Sequence, residues 1–255
     1  MTQLNTRQLT LSIAGKSICR QLDLELKAGQ IWGVLGCNGV GKTTLLHTLA
    51  GLREADSGDI FIAENRLSEL TRKQIAQKIG LLLQHIEDPF PSSVLETVIT
   101  GRHPHIPAMQ WETAQDYELA EQALVTVGMQ NFKLRPVNQL SGGERQRVSL
   151  ATLITQNPDI FLLDEPNSHL DLHHQSTLLT WLCSYAQQNQ RVLLMSLHDI
   201  NLAAKYCDHI LLLFGDGEYL AGPSSELLNE TNLEKVFGHP IRQHRLDHQT
   251  IFIPD

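Results

Sequence analysis

Residues 36–44 read Gly-Cys-Asn-Gly-Val-Gly-Lys-Thr-Thr, and this stretch decides how the rest of the chain is interpreted. It is a complete G-x-x-x-x-G-K-[ST] motif, the pattern of a loop that wraps the phosphates of a nucleoside triphosphate. Such a loop needs a strand before it and a helix after it. Residues 31–35 are an apolar run typical of a buried strand, and Leu45, Leu46 and Leu49 follow at helical spacing. The sequence therefore predicts a strand, a phosphate loop and a helix in succession.

The residue types in this loop match the chemistry of phosphate binding. Its glycines let backbone N–H groups turn toward a phosphate at the positive end of the following helix. Lys42 adds a positive charge for the β- and γ-phosphates, and Thr43 offers a hydroxyl to Mg²⁺. The predicted nucleotide contacts are Gly36, Cys37, Asn38, Gly39, Val40, Gly41, Lys42, Thr43 and Thr44.

Composition narrows the class of protein. The chain has 255 residues, 42% of them apolar, which is enough to bury a sizeable core. Its formal net charge is −8, and its longest run of basic residues is Arg72–Lys73, so we expect no nucleic-acid partner. The apolar runs are far shorter than the roughly 18 residues of a membrane span, and we expect that this chain does not cross a bilayer alone.

Hydrophobic patterns predict an α/β fold with a largely parallel sheet. Residues 1–30 and 58–67 instead show the alternation of an antiparallel β subdomain. Helical patterns fill the stretch between Gln84 and Pro158, at 94–101, 112–127 and 144–155. We therefore expect one domain, with a P-loop NTPase core from 1–84 and 158–255 and a helical subdomain inserted at 85–157. The predicted strands of the core are 31–35, 79–83, 160–163, 192–196 and 209–213.

A second group of functional residues follows a predicted strand. Residues 160–163 are apolar, and Asp164 and Glu165 come directly after them. In a parallel sheet, acids at the carboxyl end of a strand lie beside the crevice where ligands bind. Asp164 is the candidate to hold Mg²⁺ through a water molecule, and Glu165 is the candidate to polarise an attacking water.

A second glycine-containing loop precedes a helix at residues 141–144, Ser-Gly-Gly-Glu. Ser141 and Glu144 have the spacing of a capping box, which alone would explain them. The loop is also a second potential anion site at a helix N-terminus. Because the first loop already accounts for one triphosphate, two such loops make sense if the second serves another subunit.

Residues 140–147, Leu-Ser-Gly-Gly-Glu-Arg-Gln-Arg, resemble the signature sequence of ATP-binding cassette (ABC) transporter ATPases. Gln84 resembles the glutamine loop of that family, residues 168–171 its D-loop with Asp171, and His198 its switch histidine. The resemblance implies a head-to-tail homodimer that encloses two ATP molecules, with ATP and Mg²⁺ as cofactors. The residues that it implies act in trans are Ser141, Gly142, Gly143 and Glu144.

The same resemblance implies roles for individual residues. Glu165, His198 and Gln84 are the implied catalytic residues, and Thr43, Gln84 and Asp164 the implied Mg²⁺ ligands. Adenine is expected at Ile13, where the family usually has an aromatic residue. Two further positions depart from the common pattern, since Cys37 replaces a proline and Asn167 a threonine.

A narrower resemblance concerns the transported substrate. Residues 94–98, 101–105 and 198–204 resemble ATPase subunits of importers for iron-siderophores, haem and cobalamin. This implies a peripheral protein on the cytoplasmic side of a bacterial inner membrane, with permease subunits and indirectly an extracytoplasmic binding protein as partners. Importers of molybdate or zinc share part of the pattern. A soluble ABC ATPase of iron-sulfur cluster assembly is the other alternative, which residues 101–105 disfavour.

Overall fold

The computed structural model describes residues 2–83, 91–168, 171–246 and 249–255. Its strands are β1 (Thr2–Ile13), β2 (Lys16–Lys27), β3 (Ile31–Leu35), β4 (Ser57–Ile62), β5 (Asn65–Arg66), β6 (Ile79–Leu82), β7 (Ile160–Asp164), β8 (Val192–Ser196), β9 (His209–Leu213), β10 (Tyr219–Pro223), β11 (Ile241–Leu246) and β12 (Gln249–Pro254). Its α-helices are α1 (Lys42–Leu49), α2 (Arg72–Lys78), α3 (Val94–Ile99), α4 (Ala114–Thr126), α5 (Gly142–Gln156), α6 (Leu172–Gln188), α7 (Ile200–Tyr206), α8 (Ser224–Leu227) and α9 (Glu230–Phe237). Short 3₁₀ turns occur at Leu67–Glu69, Thr100–Arg102, Gln130–Phe132 and Val137–Gln139.

A six-stranded sheet in the order β10-β9-β3-β8-β7-β6 forms the centre of the molecule. Its strands from β9 to β6 pair in parallel, and β10 is an antiparallel edge strand. The predicted α/β class and parallel sheet are confirmed. The carboxyl ends of β3, β7 and β8 lie side by side, so the loops that follow these strands meet at one edge of the sheet.

Burial on both faces explains why the central strands are continuous apolar runs. In β7, Ile160 and Leu162 pack into the core shared with α1 and the antiparallel sheet, while Phe161 and Leu163 pack on the opposite face with α6 and α7. Every residue of β7 is buried. Such strands belong to sheets with both faces covered.

The antiparallel β subdomain has the strand order β2-β1-β4-β5. Ala14 and Gly15, both with positive φ, turn the chain from β1 into β2. Alternate residues of these strands, including Leu9, Leu11 and Leu22, are buried on one face. The predicted antiparallel subdomain is confirmed, and it holds Ile18 of β2 against the phosphate loop.

Helices α3, α4 and α5 pack around a separate core in residues 91–157, with Val98, Leu124 and Val148 among its buried side chains. All three helices begin with a capping box. The boxes explain why α4 and α5 start at residues 114 and 142 rather than at the predicted 112 and 144. Capping residues satisfy N–H groups that would otherwise lack partners, so they set where a helix begins.

The C-terminal hairpin β11–β12 packs on α7, where the Asn201 side chain donates to the Phe252 carbonyl and accepts from its N–H. Within the ranges that the structure describes, no helix is long and apolar enough to cross a membrane. Gln84, expected at the start of the helical subdomain, lies outside the described residues.

Candidate nucleotide-binding site

The phosphate loop connects β3 to α1 at the carboxyl edge of the central sheet. Gly41 is the residue before α1, with φ of 109°, and no side chain in the described part of the chain caps that helix. A Cβ at Gly41 would lie 2.6 Å from Ile18, so a larger residue does not fit there. The first N–H groups of α1 therefore remain available to an anion.

Lys42 is buried beneath this loop. Its ammonium donates to the carbonyl oxygens of Gly36 at 2.9 Å and of Cys37 at 3.3 Å. Burial lowers the pKa of Lys42, and the nearby Glu165 and Asp164 oppose that shift. The hydrogen bonds hold the cation inside the curve of the loop, where phosphate oxygens are expected.

Thr43 and Asp164 bring two oxygen groups together from different elements. The Thr43 hydroxyl at the start of α1 donates to Asp164 Oδ2 at the end of β7, over 2.6 Å. Asp164 is 1% exposed. A hydroxyl and a carboxylate side by side are the hard oxygen ligands that Mg²⁺ prefers, so these residues fit a magnesium ion.

Glu165 and His198 form the other pair at this edge. Glu165 Oε1 and His198 Nε2 share a hydrogen bond, and Glu165 adopts a left-handed backbone with φ of 50°. The Glu165 side chain is 15% exposed and that of His198 is 45% exposed. The structure thus places a carboxylate and an imidazole beside the Thr43–Asp164 pair.

Ser196 was missed by the sequence analysis. It is the last residue of β8, in register with Asp164 of β7, and its hydroxyl donates to Asp164 Oδ1 at 2.6 Å. The same hydroxyl accepts from the Glu165 N–H at 2.9 Å. Its position at a strand end, two residues before His198, was the available signal.

Cys37 is an exposed residue of the phosphate loop, and its thiol has a hydrogen-bond partner outside that loop. Its Sγ donates to the carbonyl oxygen of Val236, near the end of α9, at 3.1 Å. In the rest of the loop, Asn38 and Gly39 are exposed, and the Val40 N–H donates to the Cys37 carbonyl at 3.2 Å. The thiol therefore joins the loop to the C-terminal region of the chain.

The signature loop, residues 141–144, caps its own helix. Ser141 Oγ accepts from the Glu144 N–H at 3.3 Å, and Glu144 Oε2 accepts from the Ser141 N–H at 2.7 Å. The carboxylate of Glu144 accepts from the Ser141 N–H and also from the Ser141 hydroxyl, at 2.8 Å, and these two hydrogen bonds lower the pKa of Glu144. Ser141 and Gly142 are exposed, so a second molecule could reach this surface.

The remaining predicted residues lie on separate elements. Ile13 ends β1 with 39% of its surface exposed. Asp171 is exposed ahead of α6, and its carbonyl accepts from the Gln175 N–H at 2.8 Å. Thr44, in the first turn of α1, is half-buried.

Comparison with known proteins places this geometry in a family context. Residues 19–168 match the sequence profile described as ABC transporter. Petrobactin import ATP-binding protein FpuD of Bacillus anthracis is 38% identical over 234 residues, covering 92% of this chain and 86% of that protein. Hemin import ATP-binding protein HmuV of Pseudomonas aeruginosa is 37% identical over 255 residues, covering 95% and 98%.

A further relative and a solved structure agree with these matches. Ferric enterobactin transport ATP-binding protein FepC of Escherichia coli (strain K12) is 33% identical over 239 residues, covering 93% of this chain and 88% of that protein. A solved inward-facing structure of a "metal-chelate type ABC transporter" superposes with a TM-score of 0.87 at 30% identity, covering 100% of this chain and 98% of that chain.

Proposed function

The chain belongs to the ABC transporter family, and from that premise we propose that it powers the import of an iron-siderophore, haem or cobalamin. It is the ATP-binding, ATP-hydrolysing subunit of an importer, as its relatives FpuD, FepC and HmuV are by name import or transport ATP-binding proteins. The siderophore and haem relatives support the metal-chelate substrate class over molybdate or zinc. Cobalamin rests on the sequence pattern of residues 94–98, 101–105 and 198–204.

The observation that carries the proposed chemistry is the meeting of two residue pairs at one sheet edge, Thr43 with Asp164 and Glu165 with His198. Thr43 and Asp164, the latter through water, would hold Mg²⁺ together with Gln84, and the ion would supply charge neutralisation for the β- and γ-phosphates. Gln84 would also reach the attacking water.

Proton transfer is assigned to Glu165. Its carboxylate would accept a proton from the water that attacks the γ-phosphate, and His198 would donate to a γ-phosphate oxygen. Because His198 Nε2 is hydrogen-bonded to Glu165 Oε1, donation from that nitrogen to the γ-phosphate would require the Glu165–His198 bond to open.

We assign the signature loop to a partner subunit. In a head-to-tail homodimer, Ser141, Gly142 and Gly143 of one chain would face the γ-phosphate held by Lys42 of the other, with Glu144 and Asp171 also at the interface. ATP binds best to the closed dimer, so its differential affinity would drive closure, and hydrolysis would reopen the dimer.

Transport requires further partners. We propose that the chain is a single domain in which 1–84 and 158–255 carry the nucleotide and 85–157 form the helical subdomain. The stretch from Gln84 to Val127 would dock on a permease. The assembly would place the chain peripherally on the cytoplasmic side of a bacterial inner membrane. An extracytoplasmic binding protein would deliver the substrate from the other side.

Reconstitution in proteoliposomes tests the proposal. With cognate permease and binding protein, we expect ATP-dependent uptake of a ferric siderophore, haem or cobalamin, and no uptake of molybdate or zinc. Glu165→Gln should bind MgATP, hydrolyse it very slowly and accumulate as an ATP-bound dimer. Uptake of molybdate or zinc instead would overturn the substrate class, and wild-type single-turnover hydrolysis by Glu165→Gln would remove Glu165 from its catalytic role.

A further inference from the structure

Ser196 is a polar residue at the end of an otherwise apolar strand. Residues 192–195 of β8 are apolar, and the whole strand is buried. Ser196 itself is 0% exposed. Because a hydroxyl removed from water destabilises the fold unless it is hydrogen-bonded, the partners of this group explain why it is tolerated there.

Both hydrogen-bond partners of the Ser196 hydroxyl, Asp164 and Glu165, are acidic residues of the candidate nucleotide site. The hydroxyl donates to Asp164 Oδ1 at 2.6 Å, and the other carboxylate oxygen of Asp164 accepts from the Thr43 hydroxyl at 2.6 Å. The carboxylate is therefore held between two hydroxyls. Rotation of the Asp164 side chain would break both hydrogen bonds, so Ser196 fixes its orientation toward Thr43.

The second hydrogen bond acts on the backbone of Glu165. Its N–H donates to Ser196 Oγ at 2.9 Å, and its φ of 50° is a left-handed conformation that a residue with a side chain adopts only when its surroundings stabilise it. The Glu165 carbonyl also accepts from Ser168, at 3.0 Å from the N–H and 2.9 Å from the hydroxyl. These bonds hold the backbone conformation of Glu165 from which its side chain reaches His198.

We propose that Ser196 is a positioning residue that aligns Asp164 with the magnesium ion and Glu165 with the attacking water. The proposal rests on the roles proposed above for those two acids. Ser196 acts on the nucleotide through them, since its side chain is fully buried and its one hydroxyl proton is donated to Asp164. One buried hydroxyl thus couples the metal-binding carboxylate to the catalytic carboxylate.

Substitutions of Ser196 isolate the hydroxyl from the packing around it. Ser196→Ala removes both hydrogen bonds and should lower kcat by about tenfold or more, with a smaller rise in KM for MgATP. Ser196→Thr and Ser196→Val add the same bulk but differ in the hydroxyl. We expect the Thr variant to be several-fold faster than the Val variant; equal rates for the two would overturn the proposal.

A matched control separates positioning from simple destabilisation. Thr6 in the β subdomain has an equivalent buried hydroxyl, which donates to the Leu22 carbonyl at 2.7 Å and accepts from the Leu24 N–H at 3.0 Å. Thr6→Val should lower the unfolding temperature and leave kcat per folded molecule unchanged. If Ser196→Ala behaves in the same way, Ser196 has a structural role alone.

Nucleotide affinity supplies a readout that is independent of turnover. A fluorescent ATP analogue should bind wild type and Ser196→Ala equally in EDTA, whereas Mg²⁺ should strengthen binding less in the variant because Asp164 is less well oriented. An identical Mg²⁺ effect would contradict the proposal. Glu165→Gln is measured in parallel. If Glu165→Gln is slow and Ser196→Ala is as fast as wild type, only the positioning role of Ser196 is wrong. If Glu165→Gln retains full activity, the proposed catalytic role of Glu165 is wrong.

Discussion

The phosphate loop and the signature loop both place glycines at the start of a helix, yet they treat the first N–H groups of that helix in opposite ways. Gly41 precedes α1, contributes no side chain, and leaves those groups uncapped by the described residues. Ser141 precedes α5 and forms a reciprocal capping box with Glu144. The first loop is open to a ligand, and the second has already satisfied two of its own donors.

The residue that precedes each helix therefore decides whether the first N–H groups of that helix are available to an anion. An uncapped helix N-terminus gains hydrogen bonds when an anion arrives, while a capped one has less to gain from a ligand within its own chain. We therefore expect the phosphate loop to bind nucleotide within one chain. The signature loop, capped and exposed at Ser141 and Gly142, suits contact with a nucleotide already held by a partner subunit.

The largest effect should come from placing a side chain at position 41, which should weaken ATP binding by the phosphate loop. Gly41→Ala puts a Cβ 2.6 Å from Ile18 at a φ of 109°, and strain and overpacking together should weaken ATP binding on the order of 100-fold. Titration of a fluorescent ATP analogue measures the loss. Gly39→Ala is the control, because its φ is also positive but a Cβ there meets no atom within 4 Å in the described structure. Equal losses for the two variants would show that packing against Ile18 is unimportant.

Removing the cap of the signature loop should have a smaller effect and a different one. Ser141→Ala should cost about 1 kcal/mol in the free energy of unfolding and leave nucleotide affinity of the monomer unchanged. Ser93→Ala removes the equivalent box on α3 and should cost about as much. Dimer ATPase activity should fall for Ser141→Ala but not for Ser93→Ala, and equal activities would argue against a role in trans.

An aromatic side chain at position 13 should strengthen ATP binding at the nucleotide site that contains the phosphate loop, because it adds a contact with the base. It should not affect the signature loop. Ile13→Tyr can stack on adenine, so ATP binding should tighten several-fold, a gain of about 1 kcal/mol. Discrimination between bases should change little, because every base has a π-face. Affinities equal to wild type in a fluorescence titration would place the adenine contact elsewhere.

Acid should reduce the stabilising effect of the cap at the signature loop, because that cap depends on the Glu144 carboxylate. The phosphate loop has no carboxylate cap among the described residues and should not lose stability in this way. The folded-state pKa of Glu144 lies below its usual value of 4.5, so its stabilising effect is present above that pH and is lost as pH falls through the folded-state pKa. Wild type should therefore exceed Glu144→Gln in urea stability at pH 6, with a difference that shrinks below pH 4.5. A constant difference across this range would rule out ionisation as the source.

Asp116 is a second carboxylate of the helical subdomain whose contribution to stability should depend on pH. Hydrogen bonds from the Thr113 backbone and from Arg102 lower its pKa from 3.8 to about 2. Its contribution is therefore present above pH 3.8 and is lost between pH 3.8 and about pH 2, after that of Glu144 has begun to fall. Because Glu144 and Asp116 lose their stabilising contributions one after the other as pH falls, the acid unfolding transition of the helical subdomain should be broad.

Much of the fold could be predicted because its determinants are local. The phosphate loop, the apolar run of β7 and the pairing of Ser141 with Glu144 each lie within a few residues, where periodicity and capping chemistry operate. Helix starts were less accurate, as α4 begins at 114 after its capping box rather than at 112. Structure after α7 was only partly foreseen, since β11 has little alternation of its own and depends on pairing with β12.

Residue type and short spacing were enough to predict the strand-loop-helix motif, the acids at the end of β7 and the candidate histidine. Three contacts could be found only in the folded chain: Ser196 bridges Asp164 and Glu165, Ile18 closes the space beside Gly41, and the Cys37 thiol bonds to Val236. These contacts join residues that are distant along the chain. Strand order and register bring them together, and a linear pattern carries no direct record of which strands become neighbours.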